Sequence, residues 1–193
     1  MGKGRLEAFS DGVLAIIITI MVLEMKAPHG GDMAVLLPVQ PVFFSYILSF
    51  VYVGICWNSH HHILQAARKV SAGVMWANLH LLFWLSLLPF ATAWMGENHF
   101  ATLPTALYGI ILAMMGLAFL ILERAIIRSD GSTSLLAVAL NRTDHKGLLA
   151  VALYAAAIPL AFVNPTLSQV IYLVVALLYL VPDRRIEGVL PHE

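Results

Sequence analysis

Three consecutive histidines, His60, His61 and His62, are the residues here with the most obvious chemical potential. Imidazoles can ligate metals, move protons and act as general bases. On a helix, however, successive residues point about 100° apart, so no two of the three share a face as residues four apart would. No cysteine and no nearby glutamate completes a tetrahedral set, so a metal site is not expected. No Ser/His/Asp grouping, paired aspartates or zinc-binding helix motif is visible, so neither an enzyme nor a bound cofactor is expected. The chemistry left to this cluster is protonation. An imidazole titrates near neutral pH, which makes His61 a candidate proton sensor.

The elements that carry these residues must be apolar. Of 193 residues, 60% are hydrophobic and 11% charged, against roughly 25% charged in a soluble domain. Such a chain cannot cover itself with polar surface, and an all-α integral membrane protein follows. The formal net charge is zero and points to no nucleic-acid partner. Cys56 stands alone in an apolar run, so no disulfide within one chain is possible, and it reads as a small buried hydrophobe. No cleavage-site pattern follows the first apolar run, so the first helix is expected to be retained.

Five apolar stretches approach the length that crosses a bilayer: Val42–Leu64, Val74–Met95, Leu103–Leu122, Leu148–Val163 and Leu167–Val181. Asn164-Pro165-Thr166 marks a tight turn between the last two. The first segment differs. From Gly12 to Leu23 it is apolar apart from Thr19, too short to span alone, and a helix over residues 5–25 carries Arg5, Glu7 and Asp11 towards the membrane. Charges in lipid are costly and mark a bundle interior or a water-filled cavity, so this helix should not face lipid. Six spans in one transmembrane unit, 1–193, then place Lys3, Arg5, Arg68, Lys69, Arg124, Arg128, Arg142, Lys146, Arg184 and Arg185 on one side and Lys26 alone on the other. Ten against one puts both termini in the cytoplasm. The longest inner connection, Glu123 to Lys146, holds a turn at Ser129–Ser132 and an apolar patch, Leu135–Leu140, read as an interfacial helix. The second half does not repeat the first helix's polar motif, and spans four to six offer only Pro159 and the Glu123-Arg124 edge, so a secondary transporter is weakly supported.

The first helix also carries a recognisable pattern. Arg5-x-x-x-Phe9-Ser10-Asp11-Gly12-Val13, then Ala15-Ile16, Thr19 and Leu23-Glu24, resembles the opening of the bacterial transmembrane protein 175 family, relatives of the lysosomal potassium channel of animals. The likeness continues with Trp57-x-x-His60-His61 in span two and with Asn78 and Pro89-Phe90 in span three. Over the second half it rests on span count and lengths alone. The resemblance implies a homotetramer of six-helix subunits in the bacterial inner membrane, around a pore lined by the first helix. It implies potassium ions as the permeant, a narrow point at Ile16 and a selectivity layer at Thr19. No Thr-Val-Gly-Tyr-Gly-like stretch is present, so a carbonyl filter of that kind is excluded. Proton permeation through the same pore is the alternative.

The helical period is consistent with two duties for this helix. Gly12, Ile16, Thr19, Ile20 and Leu23 share one stripe, and Asp11, Ala15, Ile18 and Val22 another. Facing a four-fold axis, the first stripe becomes rings: Ile16, Ile20 and Leu23 form apolar gates, and Thr19 supplies the only side-chain oxygens among them. Aliphatic stripes also pack against helices or lipid, and threonines bond their own helix, so spacing alone leaves that reading open. Asp11, Trp57, His60, His61, Asn78 and His80 fall at similar depths near inner span ends. They are read either as a network that pairs with Ser10 and Asp11 and sets the helix angle, or as interfacial residues meeting water. Arg5 falls near the pore stripe, where a cation would repel potassium. Either Glu7 or Asp11, of its own or a neighbouring helix, neutralises it, or the helix ends before it. At the outer end, with Asp32 and Glu97 nearby in outer loops, Glu24 would attract cations or pair with Lys26.

Overall fold

The computed structural model describes residues 2–131 and 144–180. Every regular element in them is helical. The helices are α1 (Lys3–Leu23), α2 (Gln40–Ala66), α3 (Ala72–Ser86), α4 (Leu88–Glu97), α5 (Thr102–Asp130), α6 (Asp144–Val163) and α7 (Pro165–Leu180), with a 3-10 segment at Met33–Val39. Five stretches are long and apolar enough to cross a membrane, with mean hydropathies from 1.5 to 2.3, and α7 is a shorter apolar helix. With α3 and α4 counted as one bent span, six apolar segments result, and the chain is a multi-pass membrane protein.

α1 begins at Lys3 and has 21 residues, about 31 Å at the helical rise. It therefore takes in Arg5, Glu7 and Asp11, and the alternative of a helix ending before Arg5 is excluded. The third apolar stretch is broken at Leu87, which both ends α3 and precedes α4. The cause is Pro89, which has no N–H to return to Leu85 and forces a bend; regular bonding resumes at Ala91, whose N–H reaches Leu87 O at 3.2 Å. α5 runs past Leu122 to Asp130 and stops at Gly131, whose φ of +94° only glycine adopts freely. The residues from Glu123 to Asp130, expected to open a connecting segment, are thus a continuation of the span. The Leu135–Leu140 patch, Arg142, Arg184 and Arg185 lie outside the described residues.

α5 packs along α6 and α3, α2 along α4, and α1 lies across α2, α3 and α4. Leucines and small residues fill the contacts, with Leu81, Leu85, Leu88, Met95 and Leu122 fully enclosed. The polar groups where α2, α4, α5 and α7 meet are paired. Ser49 Oγ lies 2.7 Å from Thr92 Oγ1 and 2.9 Å from Tyr108 Oη, while Thr92 itself donates to Leu88 O at 2.7 Å. Tyr52 Oη donates to Tyr172 O at 2.6 Å, and Tyr172 Oη to Thr105 O at 3.1 Å. With no water in hydrocarbon to accept these bonds, the pairing ties α2, α4, α5 and α7 together.

α2 and α4 approach most closely at Gly96. A Cβ there would lie 2.6 Å from Val42 Cα and 2.5 Å from Ser45 Oγ, and backbone cannot yield as a flexible side chain can. Gly96→Ala should therefore destabilise the protein by about 1–3 kcal/mol through overpacking. Gly54→Ala, with nothing within 4 Å of its added carbon, should be neutral or stabilising. Thermal unfolding of the two variants in detergent checks the contrast.

Candidate functional site

α1 is held by one face. Leu6, Ser10, Leu14, Ile17 and Met21, at i, i+4, i+8, i+11 and i+15, are each no more than 3% exposed and pack on α2, α3 and α4. On the far side Gly12, Ile16, Thr19, Ile20 and Leu23 all lie open, with Ile16 58% and Leu23 78% exposed. Phe9 and Arg5 extend the same open stripe towards the start of the helix. The second stripe inferred from sequence, Asp11, Ala15, Ile18 and Val22, is not the packed face: Ala15 and Val22 are exposed and Asp11 and Ile18 half-buried. The packed face lies on the other side of the open stripe, because Ser10 must meet its partners there.

Those partners form a chain whose direction is fixed. Ser10 Oγ donates to Leu6 O at 2.9 Å, which leaves its oxygen to accept. Asn78 Nδ2 donates to that oxygen at 2.9 Å. Asn78 Oδ1 can only accept, so His60 must donate to it through Nε2–H, at 2.7 Å. Ser10 and Asn78 are fully enclosed and His60 is 1% exposed. The chain crosses α1, α3 and α2 and ends at His60 Nδ1, which has no partner among the described residues. Beside it, nearer water, Trp57 Nε1 donates to Asp11 Oδ1 at 3.1 Å, and His61 Nδ1 lies 2.9 Å from Glu7 Oε1. The Trp57 and His61 rings stack with centroids 6.3 Å apart. Two contacts that look separate in sequence therefore clamp the second and third turns of α1 against α2.

His80 is not in this network. It accepts from Trp84 Nε1 at 3.0 Å, one turn along its own helix, because its position on α3 points away from the face that carries Asn78. Glu7 was not foreseen as a histidine partner; it stands four residues before Asp11, on the same side of α1. His60, His61 and His62 fan out as the helical period requires, and among the described residues no three His, Cys, Asp or Glu side chains come together for a metal ion. Arg5 has no ion pair within its own chain among the described residues, since Glu7 reaches His61 and Asp11 reaches Trp57. Neutralisation by its own helix is therefore absent. Lys26 pairs with Glu97 at 3.4 Å rather than with Glu24; both partners are well exposed and the contact is worth little.

Thr19 Oγ1 donates to Ile16 O at 2.8 Å, three residues back. Its proton is spent on the helix, and the oxygen lone pairs remain turned to the open stripe. A cavity of about 560 Å³ adjoins that stripe, between Val13, Ile16, Ile17 and Ile20 on one wall and Pro89, Phe90, Ala93 and Trp94 on the other. Glu24 and Glu97, the residues that follow α1 and end α4, also line it. The bend at Pro89 opens it.

A multi-pass helical membrane protein whose first helix is locked on one face and open on the other is thus defined by fold and site. The family model described as endosomal/lysosomal potassium channel TMEM175 matches residues 5–89. A potassium channel of a Chryseobacterium species is 54% identical over 187 residues, covering 97% of each chain. A potassium channel of Streptomyces collinus is 34% identical over 125 residues, 61% of each chain. The human endosomal/lysosomal proton channel TMEM175 is 32% identical over 103 residues, 47% of this chain and 20% of the human one. Among solved structures, the crystal structure of a lysosomal potassium-selective channel TMEM175 homolog from Chamaesiphon minutus superposes with a TM-score of 0.78 at 27% identity, over 95% of this chain and 97% of that one. The chain belongs to the TMEM175 family.

Removing Asn78 should be the most damaging single change to the anchor. Asn78→Leu leaves the His60 N–H without an acceptor in an enclosed site, at about 1–3 kcal/mol, while Ser10 Oγ keeps its bond to Leu6 O. Trp57→Phe removes a single exposed bond and should cost less than about 1 kcal/mol. Melting temperatures of the two variants in one detergent decide the ranking.

Proposed function

We propose that this chain is the subunit of a potassium-selective channel, in which four copies place their first helices around a central pore. The observation that carries this is the division of α1 into a face locked by Ser10 and its partners and an opposite face, with Ile16, Thr19, Ile20 and Leu23, that is exposed among the described residues. The bacterial relatives named as potassium channels, and the likeness to a potassium-selective structure, support the choice of ion. The family and the named relatives are ion channels, which supports passive conduction.

In the proposed assembly, Ile16, Ile20 and Leu23 each form an apolar ring. Water leaves so narrow an apolar passage readily, and the ion path closes when it does. The Thr19 oxygens, whose O–H groups point to Ile16 O, turn their lone pairs to the axis and form the one side-chain layer that can replace part of an ion's hydration. At the inner entrance Asp11 keeps one oxygen that Trp57 does not take, and this oxygen is available to Arg5 of an adjoining copy. The charge asymmetry of the connections supports an orientation with both termini inside, and the likeness to bacterial relatives supports the inner membrane as the bilayer. His61 supplies a proton-sensing contact: once protonated, its bond to Glu7 becomes an ion pair at the base of the pore helix. Proton permeation through the same pore is a second reading, favoured by the names of the animal relatives.

Flux from proteoliposomes tests these roles together. A potassium gradient should set the reversal potential, in single-channel steps, and Thr19→Ala should lower potassium preference over sodium by about tenfold while conduction persists, a change of about 1.4 kcal/mol. Saturating flux without steps would identify a carrier instead. Unchanged selectivity in Thr19→Ala moves the filter elsewhere, a reversal potential that follows the proton gradient favours the second reading, and wild-type flux independent of pH removes the sensing role of His61.

A further inference from the structure

At the end of the bundle where α1 begins, a single carboxylate fastens the turn between α2 and α3 to the last turn of α5. Asp130 accepts the Arg68 N–H through Oδ2 at 2.7 Å and the Lys69 N–H through Oδ1 at 3.0 Å. Both of its oxygens are engaged by backbone. The Arg68 and Lys69 side chains are left exposed, and neither forms an ion pair among the described residues. Arg128, two residues before Asp130, is exposed and equally without an ion pair among them. The acid that shapes this turn thus cancels none of the three cations through a side-chain contact. Lys3 Nζ donates to Gln65 O at 2.6 Å, three residues before Arg68, and brings a fourth positive charge to the same end.

The helix that this turn leads into presents a different chemistry. On α3, Trp76, Leu79 and Phe83 are 73%, 40% and 55% exposed, at i, i+3 and i+7. They make an apolar stripe that starts on the second turn of α3, and a tryptophan at that level is the residue type that favours the boundary between headgroups and acyl chains. Cations at headgroup depth and an apolar stripe directly below them match the two halves of one molecule, a phospholipid with net negative charge.

We infer that this surface holds an anionic phospholipid, its phosphate against Arg68 and Lys69, and an acyl chain along Trp76, Leu79 and Phe83, with Arg128 adding only to the positive charge of this end of the bundle. Asp130 is the positioning residue, since it displays the two loop cations without discharging them. The attraction of each such cation for an anionic membrane surface is cumulative, so two of them matter together. Occupancy of this surface does not depend on which ion the protein conducts.

The test is association of spin-labelled phosphatidylglycerol and phosphatidylcholine with the full-length protein in mixed vesicles. Wild type should prefer phosphatidylglycerol, and R68Q/K69Q should lose about tenfold of that preference. R128Q, read separately, should lose a smaller part, and Lys26→Gln at the opposite end should lose none. Inorganic phosphate should not displace the lipid. Equal association of the two lipids with wild type, an undiminished preference in both R68Q/K69Q and R128Q, or displacement by free phosphate would overturn the inference. Because the readout is binding, it stands or falls apart from any result on potassium flux.

Discussion

A buried polar group in hydrocarbon must find its partner inside the protein, and in this molecule one such requirement sets the rotation of the first helix. The bonds from Asn78 to Ser10 and from His60 to Asn78 join three helices in a line with a single possible direction. Turning α1 by one residue would carry Ser10 out of reach and strand the enclosed Asn78 amide N–H on α3. At about 1–3 kcal/mol for an unpaired group, the alternative is costly on the scale of a whole protein's stability. The open stripe of Ile16, Thr19, Ile20 and Leu23 is the geometrical consequence: it lies where it does because Ser10 lies where it does.

The two halves of α1 are fastened by different forces. Its first turns are tied by Ser10, by Asp11 to Trp57 and by Glu7 to His61. Beyond them Leu14, Ile17 and Met21 pack mainly by apolar contact, with one weak approach of Thr92 Oγ1 to Met21 Sδ at 4.0 Å, and this half borders the cavity lined by Ile16, Ile20 and Pro89. Directional bonds fix an angle, whereas apolar contact in a membrane has no preferred direction and little driving force against lipid. The rings proposed as gates therefore belong to the less constrained half, and the residues that fix orientation lie below them.

Much of this was legible in the sequence. The charged residues before Gly12, together with a span too short without them, set α1 apart from the other apolar segments, and α1 does run through them from Lys3. Counting at the helical period collects Gly12, Ile16, Thr19, Ile20 and Leu23 on one side. It could not say which side packs, because a helix apolar all round offers the same residue types to lipid, protein and pore; the packed stripe through Leu14 and Ile17 needed the tertiary partners of Ser10. Depth counting put His80 at the level of Asn78, but level is not direction, and two residues along a helix separate their faces by more than half a turn. Pro89 carried the signal for the bend in the third span. Nothing local announced that Glu7 meets His61 or that Asp130 holds the α2–α3 turn, since both pairings join residues far apart in the chain.

The account is tested most directly by asking whether water reaches the open stripe of α1 in the working assembly. In a Cys56→Ser background, a single cysteine at Ile20 should react with a charged, membrane-impermeant thiol reagent, and potassium flux from reconstituted vesicles should fall as it reacts. A cysteine at Val174, on the exposed side of α7, should leave flux unchanged. Reaction at Ile20 without loss of flux, or protection of Ile20 under conditions in which flux is robust, would contradict a pore built on the first helix.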